Sequence, residues 1–161
     1  MGEDQEIAFH TLKRGLVSRP ILQYPDFSEE FILTTDASND GAGAVLSQGE
    51  IGKDLPVAFA SRSFSKAERN YSTVEKELTA IVWGIKHFRP YLYGRFKVVS
   101  DHKPLKLIMS VKDTGSRLLR WRIQLEEYDY ETVYKPGGKT LMRTHGLGLM
   151  RLRKRVVNQT R

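Results

Sequence analysis

Three carboxylates in this chain call for a chemical explanation. Asp36 closes the run Glu30-Phe31-Ile32-Leu33-Thr34-Thr35, and Asp101 closes the run Phe96-Lys97-Val98-Val99-Ser100. Glu77 lies three residues after Val74 and four before Ile81, on the inward side of a helical pattern. An apolar strand ending in an acid needs a reason, because a desolvated charge is costly unless something binds it. The plain alternatives are a turn Asp capping backbone amides and a Glu reaching water from the edge of a helix stripe. If the two strands are parallel neighbours, both acids share one edge of a sheet, and a helix crossing that sheet can bring Glu77 beside them. Three converging carboxylates repel one another and favour protonation, which a divalent cation resolves. With oxygen ligands and no cysteine in the chain, Mg²⁺ or Mn²⁺ fits better than zinc. Such a site suits in-line phosphoryl chemistry with two metals, one activating water and one stabilising the leaving oxygen.

The elements that must position these acids are readable from pattern. Residues 1–24 are a lead-in, with Ile7, Ala8, Leu12, Leu16 and Val17 at rough helical spacing and Pro20 stopping the helix. The stretch from Glu30 to Asp36 is apolar and β-branched, which predicts a central strand that breaks at Ser38-Asn39-Asp40-Gly41. Asp40-Gly41 reads as a hairpin turn. Ala42 to Gln48 and Val57 to Arg62 follow as strands, separated by a loop from Gly49 to Pro56. The period then changes. Ser72-Thr73-Val74-Glu75 is a capping box, which gives Glu75 a structural role. Val74, Leu78, Ile81, Val82, Ile85 and Phe88 form a core-facing stripe, and Arg89-Pro90 ends the helix. Phe96 to Ser100 predicts a fourth strand and Leu105 to Met109 a short helix. Ser116 caps a helix running to about Tyr128, with Leu118, Trp121, Leu125 and Tyr128 on one side and Arg117, Arg120 and Arg122 largely off it. Tyr130 to Tyr134 alternates like a half-exposed fifth strand, ended by Pro136-Gly137-Gly138.

The 161 residues are enough for one domain with its own core, and 40% hydrophobic with 28% charged residues is ordinary for a globular protein. The absence of cysteine excludes a disulfide framework and any thiolate site. No apolar run reaches membrane-spanning length and no signal-peptide pattern opens the chain, so an intracellular setting is expected. The net charge of +7 points to a polyanion partner until its distribution is considered. Up to Gly138, basic and acidic residues balance. The whole excess lies beyond, in Lys139, Arg143, Arg151, Arg153, Lys154, Arg155 and Arg161.

The motifs resemble a family closely. Thr34-Thr35-Asp36-Ala37-Ser38, Gly43-Ala44-Val45-Leu46-Ser47-Gln48, Ala60-Ser61-Arg62, the run from Glu68 to Leu78, Ser100-Asp101-His102-Lys103-Pro104-Leu105, Arg120-Trp121-Arg122 and Tyr134-Lys135-Pro136-Gly137 occur in unbroken order. Together they resemble the RNase H domain of Ty3/gypsy-type LTR-retrotransposon reverse transcriptases, from about Phe9 to Gly138. The resemblance implies an α/β, RNase H-like fold, a five-stranded mixed sheet flanked by helices, over residues 25–138. Residues 1–24 resemble the connection that leads from a polymerase. The family's catalytic, metal-holding carboxylates map onto Asp36, Glu77 and Asp101. They would hold Mg²⁺, with Mn²⁺ as substitute, and hydrolyse the RNA strand of an RNA–DNA hybrid recognised by groove shape, phosphates and 2′-hydroxyls. The implied setting is the cytoplasm or a retroelement particle, and the implied partner in the same polyprotein is its polymerase portion.

The chain departs from the family beyond Gly138. A fourth carboxylate is expected there, in a segment resembling Asn-Val-x-Ala-Asp-Ala-Leu-Ser-Arg. The chain instead has Thr140-Leu141-Met142-Arg143-Thr144-His145-Gly146-Leu147-Gly148, and no acid follows Glu131. The genetic code offers an explanation. Lys139 to Gly148 can be encoded as AAA ACG TTA ATG CGG ACG CAT GGT CTC GGN. Read from the last base of the first codon, this gives Asn-Val-Asn-Ala-Asp-Ala-Trp-Ser-Arg. The expectation is therefore a slipped reading frame near Gly138-Lys139, with residues 139–161 an aberrant basic tail and the missing Asp straddling Arg143 and Thr144. A coding sequence whose codons cannot yield that reading would remove the idea. Two functional readings follow. One is an RNase H-type endonuclease domain impaired by loss of its fourth acid. The other is a catalytically inactive RNase H-like binding module or a decayed retroelement fragment.

Overall fold

A computed structural model describes residues 3–17, 22–100 and 116–134. The elements are α1 (Glu3–Val17), β1 (Phe31–Ala37), β2 (Gly41–Gln48), β3 (Leu55–Ser63), α2 (Lys66–Arg69), α3 (Thr73–His87), β4 (Phe96–Ser100), α4 (Arg117–Glu126) and β5 (Tyr130–Tyr134). The expected helix from Leu105 to Met109, Asp101 itself and the tail from residue 139 lie outside the described residues.

The five strands form one mixed sheet in the order β3-β2-β1-β4-β5. The meander β1-β2-β3 is antiparallel, while β1 pairs in parallel with β4 and β4 in parallel with β5. β1 is central, as its apolar run predicts, and Phe31, Ile32 and Leu33 are all buried. Its register with β4 sets Phe31 beside Phe96 and Thr34 beside Val99. The strand leading to Asp36 and the strand leading to Asp101 are therefore parallel neighbours.

α3 covers one face of this sheet. Its Ser72–Glu75 capping box forms as expected: Ser72 Oγ accepts from the Glu75 amide, and Glu75 Oε2 accepts from the Ser72 amide at 2.9 Å. Leu78, Ile81, Val82, Ile85 and Phe88 join Leu33, Ala44, Leu46 and Val98 in the core. Gly84 lets the helix close on the strands. A Cβ there would stand 3.2 Å from Thr35 Cγ2 and 3.4 Å from Ala44 Cβ, tighter than most methyl contacts in a close-packed interior. α4 lies beside α3, and its Leu118, Trp121 and Leu125 add to the same core.

Several expectations need correction. Val74 is 37% exposed rather than core-facing, because the second residue of α3 stands in its first turn, ahead of the helix's contact with the sheet. β3 begins at Leu55 and runs to Ser63, so the preceding loop is shorter than its polar composition implies. Gly49 and Gly52, both at positive φ, close that loop. α3 does end just ahead of Arg89-Pro90, with Phe88 as its C-cap, while α4 ends at Glu126, two residues short of the expected end at about Tyr128. α2 has no counterpart among the expected elements. Within α1, Ile7 is 60% exposed and Ala8 is exposed too, so this helix does not bury the stripe its spacing implies at those positions. The turn that leads into β1 is tied down by Gln48, which accepts from the Asp26 amide at 2.9 Å and donates through Nε2 to the Asp26 carbonyl at 2.6 Å.

Candidate active site

Glu77 is 1% exposed, and α3 delivers it. Two contacts fix which end of β1 it faces. Ala80, three residues on, packs with Ala42, Phe64 and Ala37, at the close of β1 and the opening of β2. Lys76 Nζ donates to Asn39 Oδ1, in the turn after β1, at 3.4 Å. Just past the far end of α3, Phe88 instead meets Tyr91, whose ring also meets Phe31, where β1 begins. The helix thus runs against β1 and holds its Glu77 turn over the strand's carboxyl end, where Asp36 stands.

Asp36 meets that end differently from the expectation of a desolvated acid: it is exposed. β1 points Leu33 and Thr35 at α3, since both line the space around Gly84. Asp36 has the opposite parity, at the rim where the strand leaves the sheet. Its register partner on β2 is Gly43. A Cβ at Gly43 would meet no atom within 4 Å among the described residues. Cross-strand partners share a face, so open space adjoins Asp36 on that face.

The donor set fits a hard divalent cation. Asp36 and Glu77 offer carboxylate oxygens, the ligand type such a cation takes, one reachable from solvent and one fixed in a buried helix turn. Among the described residues, no three His, Cys, Asp or Glu side chains form a group able to hold a metal. The structure brings Glu77 to the Asp36 end of β1, and Asp101 lies outside the described residues.

Around this end stand charged residues whose roles the sequence reading missed. Arg62 donates from both terminal nitrogens to Glu68, at 2.9 and 2.7 Å, and its guanidinium lies 5.4 Å from the Phe64 ring centre and 5.7 Å from that of Trp83. Hydrogen bonds from Arg62 hold the Glu68 carboxyl down at about 2, against the opposing effect of burial. The pair is built on α2, whose N-terminus is a second capping box, Ser65 with Glu68. The spacing Ser65-Lys66-Ala67-Glu68 was the available signal. Arg117, read as lying off the apolar side of its helix, donates to Glu75 Oε1 at 2.9 Å and stacks 4.0 Å from the Tyr71 ring centre. Nothing local in the sequence announces a contact across forty-two positions. Hydrogen bonding by the Ser72 amide holds the Glu75 carboxyl below its ordinary value, with burial opposing and Arg117 adding to the effect. No helix among the described residues is long and apolar enough to cross a membrane.

Residues 26–128 match the model of the RNase H-like domain found in reverse transcriptase. The chain is 53% identical over 131 residues to the retrovirus-related Pol polyprotein from transposon 412 of Drosophila melanogaster, covering 81% of this chain and 11% of that polyprotein. Its fold is similar to the prototype foamy virus protease-reverse transcriptase, with a TM-score of 0.67 at 18% identity over 88% of this chain and 21% of that one. It is also similar to RNase H1 from the archaeon Halobacterium salinarum, with a TM-score of 0.50 at 15% identity over 66% of this chain and 86% of that one.

Proposed function

The chain belongs to the family of RNase H-like domains found in reverse transcriptases, and we propose that Asp36, Glu77 and Asp101 hold divalent metal in it and direct hydrolysis of the RNA strand of RNA–DNA hybrids. The observation that carries this reading is Glu77, a buried carboxylate that α3 holds over the end of β1 where Asp36 stands. A structural role does not require a charge at that depth in a helix–sheet interface. The β1–β4 register supports the third ligand. The register that pairs Phe31 with Phe96 and Thr34 with Val99 sets the strand preceding Asp101 in the sequence parallel to the strand that carries Asp36.

Bound Mg²⁺, or Mn²⁺ in its place, supplies an activated water and charge stabilisation at the leaving oxygen. The chain's own residues set the geometry. Glu77 is fixed by its helix, and Asp36 stands at the rim beside Gly43, whose Cβ direction is open among the described residues, a side from which a phosphate would approach. An RNA–DNA hybrid is the substrate class this arrangement serves in the family. Residues 25–138 form the RNase H-like unit, 1–24 lead into it from the polymerase portion of a longer polyprotein, and 139–161 are the frame-slipped tail.

Absence of any acid after Glu131 favours the second reading, an inactive module or decayed copy, for the chain as it stands. One missing anionic ligand weakens one metal position. By analogy with removal of one pre-organised charge-stabilising group, the rate loss is about 10²–10³. A hybrid-cleavage assay decides. The present chain is expected to show trace activity, partly rescued by Mn²⁺. Restoring the shifted frame from Lys139 onward is expected to restore cleavage, and Asp36→Asn in that corrected chain to abolish it. Full activity in the uncorrected chain would show that the fourth acid is dispensable. Cleavage surviving Asp36→Asn in the corrected chain would overturn the assignment of the site.

A further inference from the structure

Resting on the hybrid substrate proposed above, we infer that Lys76 takes a backbone phosphate of that hybrid, beside the end of β1 that carries Asp36. Lys76 is only 9% exposed, and few lysines are covered so far. Its polar contact is to a neutral atom, Asn39 Oδ1, at 3.4 Å. Among the described residues it forms no ion pair. Arg62, Lys97 and Arg117, by contrast, each meet a carboxylate within 2.9 Å. An ammonium has three donors, and a cation held this close to the core is costly without an anion. One long bond to an amide oxygen leaves most of that capacity unused.

The fold explains how the cation comes to stand there. Lys76 is one turn ahead of Ala80 on the same side of α3. Ala80 packs with Ala37 and Ala42, the last residue of β1 and its partner on β2. One turn earlier the helix overhangs those strands, and the lysine head reaches the turn beyond them. That turn is tight, with the Ser38 amide donating to the Gly41 carbonyl at 2.8 Å. Asn39 is exposed, so a head that meets its side chain ends at the surface while the stem stays covered. Asn39 follows Asp36 by three residues, at most about 11 Å of chain, and Glu77 is the next residue of the helix. A duplex whose backbone passes over the Asp36 rim therefore brings a neighbouring phosphate within the lysine's reach. Residues up to Gly138 balance in charge, so their attraction for a polyanion rests on single cations placed like this one rather than on a general field.

The test is binding of a labelled RNA–DNA hybrid to the whole chain, followed by fluorescence anisotropy with divalent metal chelated. Affinity is then read apart from cleavage and from metal occupancy. The readout is the slope of log affinity against log salt, to which the basic tail adds equally in every variant. Lys76→Met keeps the covered stem and removes the charge, and Lys76→Gln takes its place if that protein is unstable. Lys76→Met is expected to weaken binding roughly five- to tenfold near 0.1 M salt and to make the slope shallower by about 0.9, the value of one phosphate contact. Lys76→Arg is expected to keep the native slope. Asn39→Ala removes the internal partner but leaves the charge, and is expected to keep the slope too. Lys53→Met, which removes a cation paired with Glu50 on the loop between β2 and β3, is expected to change nothing. A native slope in Lys76→Met, with hybrid bound, overturns the phosphate contact alone. Equal weakening in Asn39→Ala also overturns it, because the lysine would then act by holding the turn, and an equal change in Lys53→Met would trace the effect to net charge. Native protein that binds no hybrid overturns the substrate reading, and this inference falls with it.

Discussion

Glu68 shows how far a single hydrogen-bonded carboxylate shapes stability in this chain. Arg62 holds it in the charged form, with its carboxyl at about 2 against an ordinary 4.5. A depressed folded-state value stabilises the fold wherever the unfolded chain would bind more protons. The contribution is complete above about pH 4.5 and is lost as pH falls toward 2. The full shift would correspond to about 3 kcal/mol, solvent screening of this partly exposed pair brings the net contribution to about 1 kcal/mol, and Glu68→Gln is expected to remove that part of the acid limb from a pH–stability profile. An acid limb unchanged by Glu68→Gln would show that the pair contributes nothing net. The two acids of α3 are separable from sequence because a capping box accounts for Glu75 and leaves Glu77 on the inward side. Val74 and Asp36 depart from expectation for one shared reason. Periodicity assigns a face but not the point where an element overhangs its neighbour, and both residues stand at such ends. Arg117 is not legible, since its partner is distant in the chain and its helix pattern marks it only as polar.

At the scale of elements, β2 makes two opposite predictions from neighbouring glycines. A Cβ on Gly41 would stand 2.6 Å from the backbone carbonyl oxygen of Arg62, so β2 and β3 would have to part. Gly41→Ala is expected to lower stability by about 1–3 kcal/mol, read as a lower urea midpoint with an unchanged slope. Gly43, the register partner of Asp36, faces open space among the described residues. Gly43→Val is expected to hold stability within about 1 kcal/mol of native, since a β-branched residue suits a strand. It is also expected to suppress Mn²⁺ binding and hybrid cleavage by filling the space beside Asp36. Full metal affinity in a stable Gly43→Val protein would mean that the space serves nothing. The strand and helix series is largely legible, because the change from alternating to helical spacing falls between β3 and α3. α2 escapes notice because four residues carry no apolar stripe and only its cap spells it out.

On the scale of the whole molecule, the charge divides the chain more sharply than the fold does. Residues up to Gly138 are balanced, and the tail carries all of the excess. On the proposal that residues 139–161 are frame-slipped, they were not selected to pack, so deleting them is expected to move the melting temperature by less than about 2 °C, and a large drop would show that the tail packs on the core. The family reading rests on long ordered motifs and is borne out by the match over residues 26–128. The mixed five-stranded sheet is likewise both expected and found. That sheet joins two kinds of pairing. β1, β2 and β3 connect through short loops, whereas β4 reaches β1 only after the whole length of β2, β3 and α3 has intervened. Closing near-neighbour loops is fast, and distant parallel pairing must bear the loop entropy before any contact rewards it. The meander is therefore the half that can organise first, and β5, half-exposed at the outer edge, the strand that joins last and opens first. In native-state hydrogen exchange, amides of β1 and β2 should exchange only on global unfolding, and those of β5 through smaller openings. The side of the proposed site that brings Asp36 would then be in place before β4 arrives, so the chain would become able to complete that site only once the distant pairing of β4 with β1 forms.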